Sequence, residues 1–414
     1  MGFGIMWSHS RNDLQELKCT GQQHNVDRTL RNQKMTTNET LIMISASLVA
    51  MLVAPCTAAH AASETRCSVP PVALEVNLER STLEAREPVI AQVMLTNLGD
   101  EPLRLPVRDD GTPLRIALDV SNGDSTYSTH SLWLTRNGPH PKEVEVLPGK
   151  STSGDVLVLL DFGVKYVFAS PGAYRLRWHF YAAPGCPKIY TDEVRVSVLP
   201  SSRVNEECLA RLQLIGLRYH VGDDADTLDL NAPEAESALN REGILLLAKI
   251  ISRTKPHLIT PGDRAENALV DSLQEVLERY PDSAYSGYIA RYLGLVHLKT
   301  LEHAGSLEEA TAWRETGKPP TFDAKAFKEK PAYQKALKYL TQAAKADLWP
   351  ATTAQYHLGW LHLMARDWEK AEECCGILRK DYAASNGLHH ADELRRQLHD
   401  FRAKVERAEA DTED

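Results

Sequence analysis

The chain has 414 residues, of which 43% are hydrophobic and 25% are charged, so it is long enough for two or three globular domains. This composition excludes disorder of the whole chain. The formal net charge of -9 and the absence of any run of four or more Lys or Arg argue against nucleic acid as a partner.

The amino-terminal part carries an apolar run, Leu41–Ala54, followed by small residues that end in "AHA". The run is short for a bilayer span and is typical of a secretory signal peptide cleaved after Ala61. We therefore predict a signal peptide over residues 35–61, with residues 1–34 an unstructured extension or a mis-assigned start. A retained membrane anchor and a lipid on Cys56 are the alternatives, although Pro55 is unfavourable for lipidation. The expected location is periplasmic or secreted, with membrane anchoring as the alternative.

Residues 67–200 show the period-two pattern of half-buried strands. In "AYRLRWHFY" the residues Tyr174, Leu176, Trp178 and Phe180 alternate with Arg and His. The segments "VALEVNLE", "VIAQVMLTN", "LRIALDV" and "EVRVSV" alternate in the same way, and turn signals such as "NLGDEP" and "SPGA" separate them. The pattern predicts an antiparallel β-sandwich.

Two motifs in this region, "PVIAQVMLTNLGDEPLRL" and "PGAYRLRWHFY", resemble the immunoglobulin-like domains of bacterial envelope proteins. The resemblance implies a spacer or a binding module rather than a catalyst. Cys67 lies at the start of the first strand-like segment and Cys186 in the turn between the last two. They form either a disulfide bridge or two unrelated free thiols.

From residue 201 to residue 408 the apolar residues recur three and four positions apart, which predicts helices. The segments are "ECLARLQLIGL", "PEAESALNREGILLLAKIIS" and "DRAENALVDSLQEVLERY", the last with Asp263 and Glu266 as a capping pair. A capping helix is expected over "ADELRRQLHDFRAKV", and residues 409–414 are expected to form an acidic disordered tail.

Two segments resemble tetratricopeptide (TPR) repeats. "YHLGWLHLMARDWEKAEECC" has Gly359 in one helix and Ala371 twelve residues later in the next, and "YPDSAYSGYIARYLG" repeats the Leu-Gly pair at Gly294. Small residues allow two helices to cross closely. The second helix for Gly294 is expected at Ala336, Leu340 and Ala343, so residues 300–330 form an insertion of unassigned role. Within this insertion, "SLEEATAWRE" is expected to form a short extra helix. His362, Cys375 and Ala383 depart from the family pattern.

No nucleophile elbow, Gly-rich phosphate loop or HExxH motif occurs in the sequence. His389, His390 and Asp392 are interpreted as solvated polarity at a helix start rather than as a metal site. Cys374 and Cys375 are interpreted as buried rather than redox-active, because a helix does not permit a disulfide between adjacent residues. We therefore expect a protein that is not an enzyme and needs no cofactor or metal.

The family resemblance implies a groove lined by the first helix of each repeat, which would bind a protein or peptide. The corresponding residues are Tyr288, Arg291, Leu295, Leu298, Thr353, Tyr356, Trp360 and Leu363. Packing of Tyr356 and Trp360 against neighbouring helices is an equally weighted interpretation. The expected function is an interaction scaffold in the cell envelope. The alternatives are a carbohydrate-binding or peptidase-inhibitor-like sandwich, favoured by exposed aromatic residues such as Trp133, and an enzyme of unrecognised class.

Overall fold

The computed structural model has a β region followed by a helical region. It describes residues 71–107, 116–123, 126–130, 142–158, 166–181, 187–222, 233–252, 264–316, 322–346, 349–382 and 387–413. The last strand ends at Leu199 and the first helix after it begins at Arg203, so the change in sequence period coincides with the change in structure. The segment predicted to be a signal peptide (residues 35–61), Cys56, Cys67, Trp133 and Cys186 lie outside the described residues.

The described part of the β region has eleven strands, and the five alternating segments predicted from sequence are all strands. Their bounds are β1 Val72–Leu78, β2 Thr82–Glu84, β3 Val89–Asn97, β4 Leu103–Val107, β5 Ile116–Asn122, β6 Ser128–His130, β7 Lys142–Val146, β8 Ser151–Val158, β9 Gly172–Tyr181, β10 Lys188–Tyr190 and β11 Val194–Leu199.

Two larger sheets and the two-stranded sheet β4-β7 share one hydrophobic core in the described part of this region. A three-stranded sheet has the order β1-β3-β8, and a larger sheet has the order β2-β11-β9-β5-β6 with β10 added beside β9. Val93 and Leu95 from the first sheet and Leu176 and Trp178 from the second lie in the same buried cluster. The prediction of a wholly antiparallel arrangement was wrong at one place, because β2 pairs with β11 in parallel. Residues 79 to 88 leave the first sheet after β1, form β2 in the second sheet and return to the first sheet at β3, which makes that pairing possible.

The helical region has nine described helices, and each helix predicted from the 3.6-residue period is present. Their bounds are α1 Arg203–Val221, α2 Pro233–Ser252, α3 Arg264–Arg279, α4 Ser286–Thr316, α5 Ala324–Glu329, α6 Pro331–Ala343, α7 Trp349–Met364, α8 Trp368–Asp381 and α9 Gly387–Glu413. Within the described residues, no helix is long and apolar enough to cross a membrane.

Two local expectations are corrected. The segment "SLEEATAWRE" is not a separate helix, because α4 runs without a break from Ser286 to Thr316. The acidic tail is helical as far as Glu413, since α9 continues through residues of high helix propensity such as Ala and Glu. The capping role predicted for Asp263 and Glu266 stays a prediction, because Asp263 lies outside the described residues.

The Glu266 carboxylate is the centre of a polar cluster that joins four helices. Lys249 Nζ of α2 lies 2.7 Å from Glu266 Oε2, and the Tyr219 hydroxyl of α1 donates to the same oxygen at 3.2 Å. The hydroxyl of Tyr292 in α4 donates to Glu266 Oε1. Buried charges are tolerated when they are paired and hydrogen-bonded in this way, so the cluster fixes how α1 to α4 pack.

Candidate functional site

The first helix of the earlier repeat, α4, buries all four of its predicted groove residues. Tyr288 is 2% exposed, and Arg291, Leu295 and Leu298 are 0% exposed. The Tyr288 ring stacks on Trp349 of α7 with their centroids 6.2 Å apart. These four side chains are therefore packed inside the fold, which corrects the expectation that they line an accessible groove.

Arg291 is buried because it completes the carboxyl end of another helix. Its Nη2 donates to the backbone oxygens of Ile250 and Ile251 in the last turn of α2, at 2.9 and 2.8 Å. Its guanidinium also lies 4.5 Å from the Trp349 ring centroid. A cation at a helix carboxyl end meets unpaired carbonyls and the negative end of the helix dipole. Burial nevertheless lowers the pKa of Arg291 to about 9.

The first helix of the later repeat, α7, keeps part of the predicted surface. Thr353 and Leu363 are buried, so they too are corrected, whereas Tyr356 and Trp360 are only partly buried. The Trp360 indole donates to Glu302 Oε1 of α4 at 3.2 Å. The Tyr356 hydroxyl accepts a hydrogen bond from Gln397 Nε2 of α9 at 3.2 Å, and its ring lies 5.0 Å from that of His390.

These contacts define a surface that spans three helices and that we call the α7 surface: Glu302, Tyr356, Trp360 and Gln397. Burial raises the pKa of Glu302, while Lys299 and the Trp360 indole oppose that rise. Burial likewise raises the pKa of the Tyr356 hydroxyl, and its hydrogen bond with Gln397 opposes that rise. Each polar group of the surface therefore has a partner, which holds the two aromatic rings in a fixed orientation.

Both Leu-Gly pairs lie where helices cross closely. A Cβ on Gly294 would lie 2.6 Å from Leu340 Cγ of α6, and a Cβ on Gly359 would lie 2.2 Å from Leu394 Cδ2 of α9 and 3.1 Å from Cys374 Cβ of α8. The predicted partner residues Ala336 and Ala371 are 0% exposed. The interpretation of these glycines as packing residues is confirmed.

A second candidate site is a cavity of about 600 Å³ between the β region and the helical region. Sequence reasoning did not identify it. Its walls come from the segment 79–87 with β2, the end of β11, the starts of three helices (α1, α4 and α7) and the chain after α6. The lining side chains with charge are Glu79, Arg80, Glu84, Glu87, Asp282 and Lys345.

The glutamates of this cavity are engaged by backbone N–H groups. Glu84 Oε2 accepts from Ser202 N at the start of α1, at 2.6 Å, and Glu79 Oε1 accepts from Trp349 N at the start of α7, at 2.5 Å. Glu87 Oε2 accepts from Glu84 N at 2.7 Å and Oε1 pairs with Arg80 at 2.5 Å. The amino ends of helices favour such carboxylates.

The pKa shifts of two of these glutamates agree with that geometry. Burial tends to raise the pKa of Glu84, but hydrogen bonds from Ser202 and Asn205 outweigh it and lower the pKa overall. For Glu87, burial dominates over its hydrogen bond and Arg80, so the pKa is raised. The Glu79 and Glu84 carboxylates therefore hold the β region on the helical region, whereas Glu87 contacts only β-region residues here. The sequence signal was weak, because one acidic segment gives no indication of which distant helix it caps.

The described cysteines and histidines support packing roles. Cys374 and Cys375 are buried thiols, and burial raises their pKa values to about 12 and about 11. His390 is held neutral by burial, which lowers its pKa to about 4. In the described part of the chain, no group of three or more His, Cys, Asp or Glu residues is placed to hold a metal ion.

Comparisons with known proteins give no family. No family model and no curated protein matches this chain. Among solved structures, a β-glucosidase from Erythrobacter marinus has a TM-score of 0.20 at 12% identity, with 31% of this chain and 16% of that chain covered. The sporulation control protein Spo0M from Bacillus subtilis has a TM-score of 0.21 at 12% identity, with 35% and 56% covered.

The CARDB domain of a Pyrococcus furiosus protein, solved with di-metal ions, has a TM-score of 0.19 at 12% identity, with 32% of this chain and 96% of that domain covered. The chain thus spans about a sixth of the length of the first of these structures. Likenesses this low carry no functional argument.

Proposed function

We propose that this protein is an exported interaction scaffold of the bacterial cell envelope that binds a protein or peptide segment through its helical region. It has no catalytic role in this proposal. The observation that carries it is the α7 surface, where Tyr356 and Trp360 keep solvent-accessible area after their counterparts in α4 have been buried.

The strand order supports an immunoglobulin-like sandwich as the first module. The two sheets with the orders β1-β3-β8 and β11-β9-β5-β6 support this assignment, and β2, β10 and the β4-β7 pair are additions to it. The Tyr174 hydroxyl at the start of β9 donates to Ser170 O at 2.8 Å, as in the tyrosine corner of such domains. The buried Trp178 lies on β9 rather than on the strand where antibody domains carry their tryptophan.

Two helix pairs support a short TPR-like array as the second module. In both pairs the first helix, α4 or α7, meets its partner through the glycine contacts described above. The long carboxyl-terminal part of α4 is an addition to the repeat. Helix α9 packs on α8 and covers one end of the array, as a capping helix does.

The α7 surface has the chemistry of a peptide-binding surface. Tyr and Trp give large contact area at low entropic cost, and residues of this kind dominate binding energy at protein interfaces. The hydrogen bonds to Glu302 and Gln397 fix both rings before a partner arrives, which reduces the entropy lost on binding.

The test is a crosslinked pull-down from the envelope fraction with wild-type protein and the Tyr356→Ala and Trp360→Ala variants. The control variant is Leu307→Ala, because Leu307 is also a large exposed apolar residue of the helical region. We expect a partner that wild type and the control capture and that both α7 variants lose.

The captured protein is then purified and its affinity measured directly, where each alanine variant is expected to bind about tenfold more weakly, since truncation of an interface aromatic costs 1 kcal/mol or more. Circular dichroism confirms that the variants are folded. Retention of every partner by both α7 variants eliminates the proposal.

A further inference from the structure

The second sheet of the β region has an outer face, turned away from the shared core, that is rich in Arg and Tyr. Along β9, the residues Tyr174, Leu176 and Trp178 point into the core, so Arg175 and Arg177 point outward. Tyr127, Tyr190 and Arg195 lie around them. We call these five residues the arginine face: Tyr127, Arg175, Arg177, Tyr190 and Arg195.

Arg177 is held between two aromatic rings. Its guanidinium carbon lies 4.5 Å from the Tyr127 ring centroid and 4.2 Å from that of Tyr190. Its Nη2 lies 3.5 Å from Asp119 Oδ2, and Asp119 is itself buried and accepts from Thr129 Oγ1 at 2.7 Å. Since both flat faces of the guanidinium meet rings, its outward interactions are restricted to the N–H groups in its plane. The Arg177 side chain remains 36% exposed.

Arg175 and Arg195 are directly opposite each other on paired strands. Like charges in this arrangement repel and weaken a sheet. One carboxylate lies between them: Glu193 is 3.9 Å from Arg175 and 3.6 Å from Arg195, and it also accepts a hydrogen bond from the Tyr127 hydroxyl at 2.5 Å. Arg195 is 85% exposed. The three arginines of this face thus outnumber the two carboxylates that they meet, Asp119 and Glu193, in a chain whose formal net charge is -9.

Two residues along a strand, as from Arg175 to Arg177, is a distance of about 6.8 Å. Side chains on one face of an extended peptide repeat at the same distance. Guanidinium groups bind carboxylates through paired N–H donors. We propose that the arginine face binds an extended acidic peptide segment whose carboxylates occur at alternate positions. A sugar ligand would need to stack on the Tyr127 and Tyr190 rings. The Arg177 guanidinium already lies over both rings, so a peptide is the better fit.

The experiment uses fluorescence anisotropy of the folded full-length chain with two labelled peptides. One alternates Glu and Ser, and the other has the same composition with its Glu residues in one block. We expect tighter binding of the alternating peptide, weakening as salt is added. Arg175→Gln and Arg195→Gln each reduce its affinity about tenfold, as expected for loss of one charge-assisted contact.

Arg104→Gln is the matched control, because Arg104 is an exposed arginine of β4 that is 74% exposed and lies outside this face. It is expected to bind like wild type, as is the Tyr356→Ala/Trp360→Ala double variant, which separates this surface from the α7 surface. If Arg175→Gln impairs folding, Arg195→Gln still tests the proposal, because the Arg195 side chain is 85% exposed and its replacement should not disturb the fold.

Three results overturn the proposal. The first is equal affinity for the alternating and block peptides, or binding of neither. The second is wild-type affinity in both the Arg175→Gln and the Arg195→Gln variants. The third is that polygalacturonate, an acidic polysaccharide, binds while the alternating peptide does not, which assigns the surface to carbohydrate.

Discussion

The two repeat-like helices α4 and α7 have a matching Leu-Gly pair, yet their equivalent positions meet different environments. When Gly294 is aligned with Gly359, Arg291 corresponds to Tyr356 and Leu295 to Trp360. The first member of each pair is 0% exposed, whereas the second is only partly buried.

The difference follows from what lies beside each helix. Helix α4 is contacted by α2 through Arg291, by α3 through the Glu266 cluster and by α7 through Tyr288 and Trp349. Helix α7 has α9 on one side, and α9 covers the Tyr356 and Trp360 side chains only in part. Position in the series of helices, and not residue type alone, therefore decides which side chains a partner can reach.

The largest expected effect comes from replacing Arg291 of α4, whose guanidinium group donates to the carboxyl end of α2. Arg291→Leu leaves the oxygens of Ile250 and Ile251 without their donors, and each unsatisfied buried group costs about 1 to 3 kcal/mol. We expect a loss of about 3 kcal/mol in the free energy of unfolding, measured by urea denaturation. Tyr356→Phe, at the equivalent position of α7, should cost about 1 kcal/mol or less. Equal losses in the two variants would contradict the contrast drawn between the helices.

An intermediate effect is expected from the glycines of α4. Gly294→Ala places a Cβ 2.6 Å from Leu340 Cγ, and overpacking of this kind costs about 1 to 3 kcal/mol. Gly305→Ala in the same helix is the control, since nothing lies within 4 Å of its Cβ. That change should stabilise the protein by about 0.5 to 1 kcal/mol, because Ala has the higher helix propensity. Thermal unfolding followed by circular dichroism measures both, and a Gly294→Ala variant as stable as Gly305→Ala would refute the packing interpretation.

The effect that is smallest near neutral pH concerns protonation, and here the two helices should behave alike. Burial lowers the pKa values of His297 in α4 and His362 in α7 to about 4. Between the ordinary histidine pKa of about 6.5 and that value, the unfolded chain binds more protons than the folded chain. Stability is therefore full above pH 6.5 and falls as the pH decreases from about 6.5 to about 4.

Replacing either histidine with Gln should flatten the pH dependence of the urea midpoint over that interval. His399→Gln is the control, because the His399 side chain is 85% exposed and its surroundings change little on unfolding. A slope that is unchanged by both His297→Gln and His362→Gln would show that neither group is held neutral by the fold.

Local patterns were sufficient for the elements of the fold. The alternation in "AYRLRWHFY" placed Leu176 and Trp178 on the core side of β9, and the segment "PEAESALNREGILLLAKIIS" forms α2 from end to end. The two Leu-Gly pairs were correctly interpreted as close helix crossings. These predictions succeed because strand and helix periods and the absence of a side chain act within a few residues.

Three features needed the tertiary structure. The sequence does not indicate that β2 pairs in parallel with β11 or that Arg291 enters the core. Nor does it indicate that Glu79 and Glu84 each cap a helix more than a hundred residues further along the chain. Each depends on which distant element lies beside a residue, and an arginine or glutamate has the same local pattern whether it faces solvent or a helix end. The sequence by itself determined a strand region followed by paired helices, whereas the accessible surfaces, at α7 and on the arginine face, were decided by long-range packing that covers some polar side chains and leaves others open.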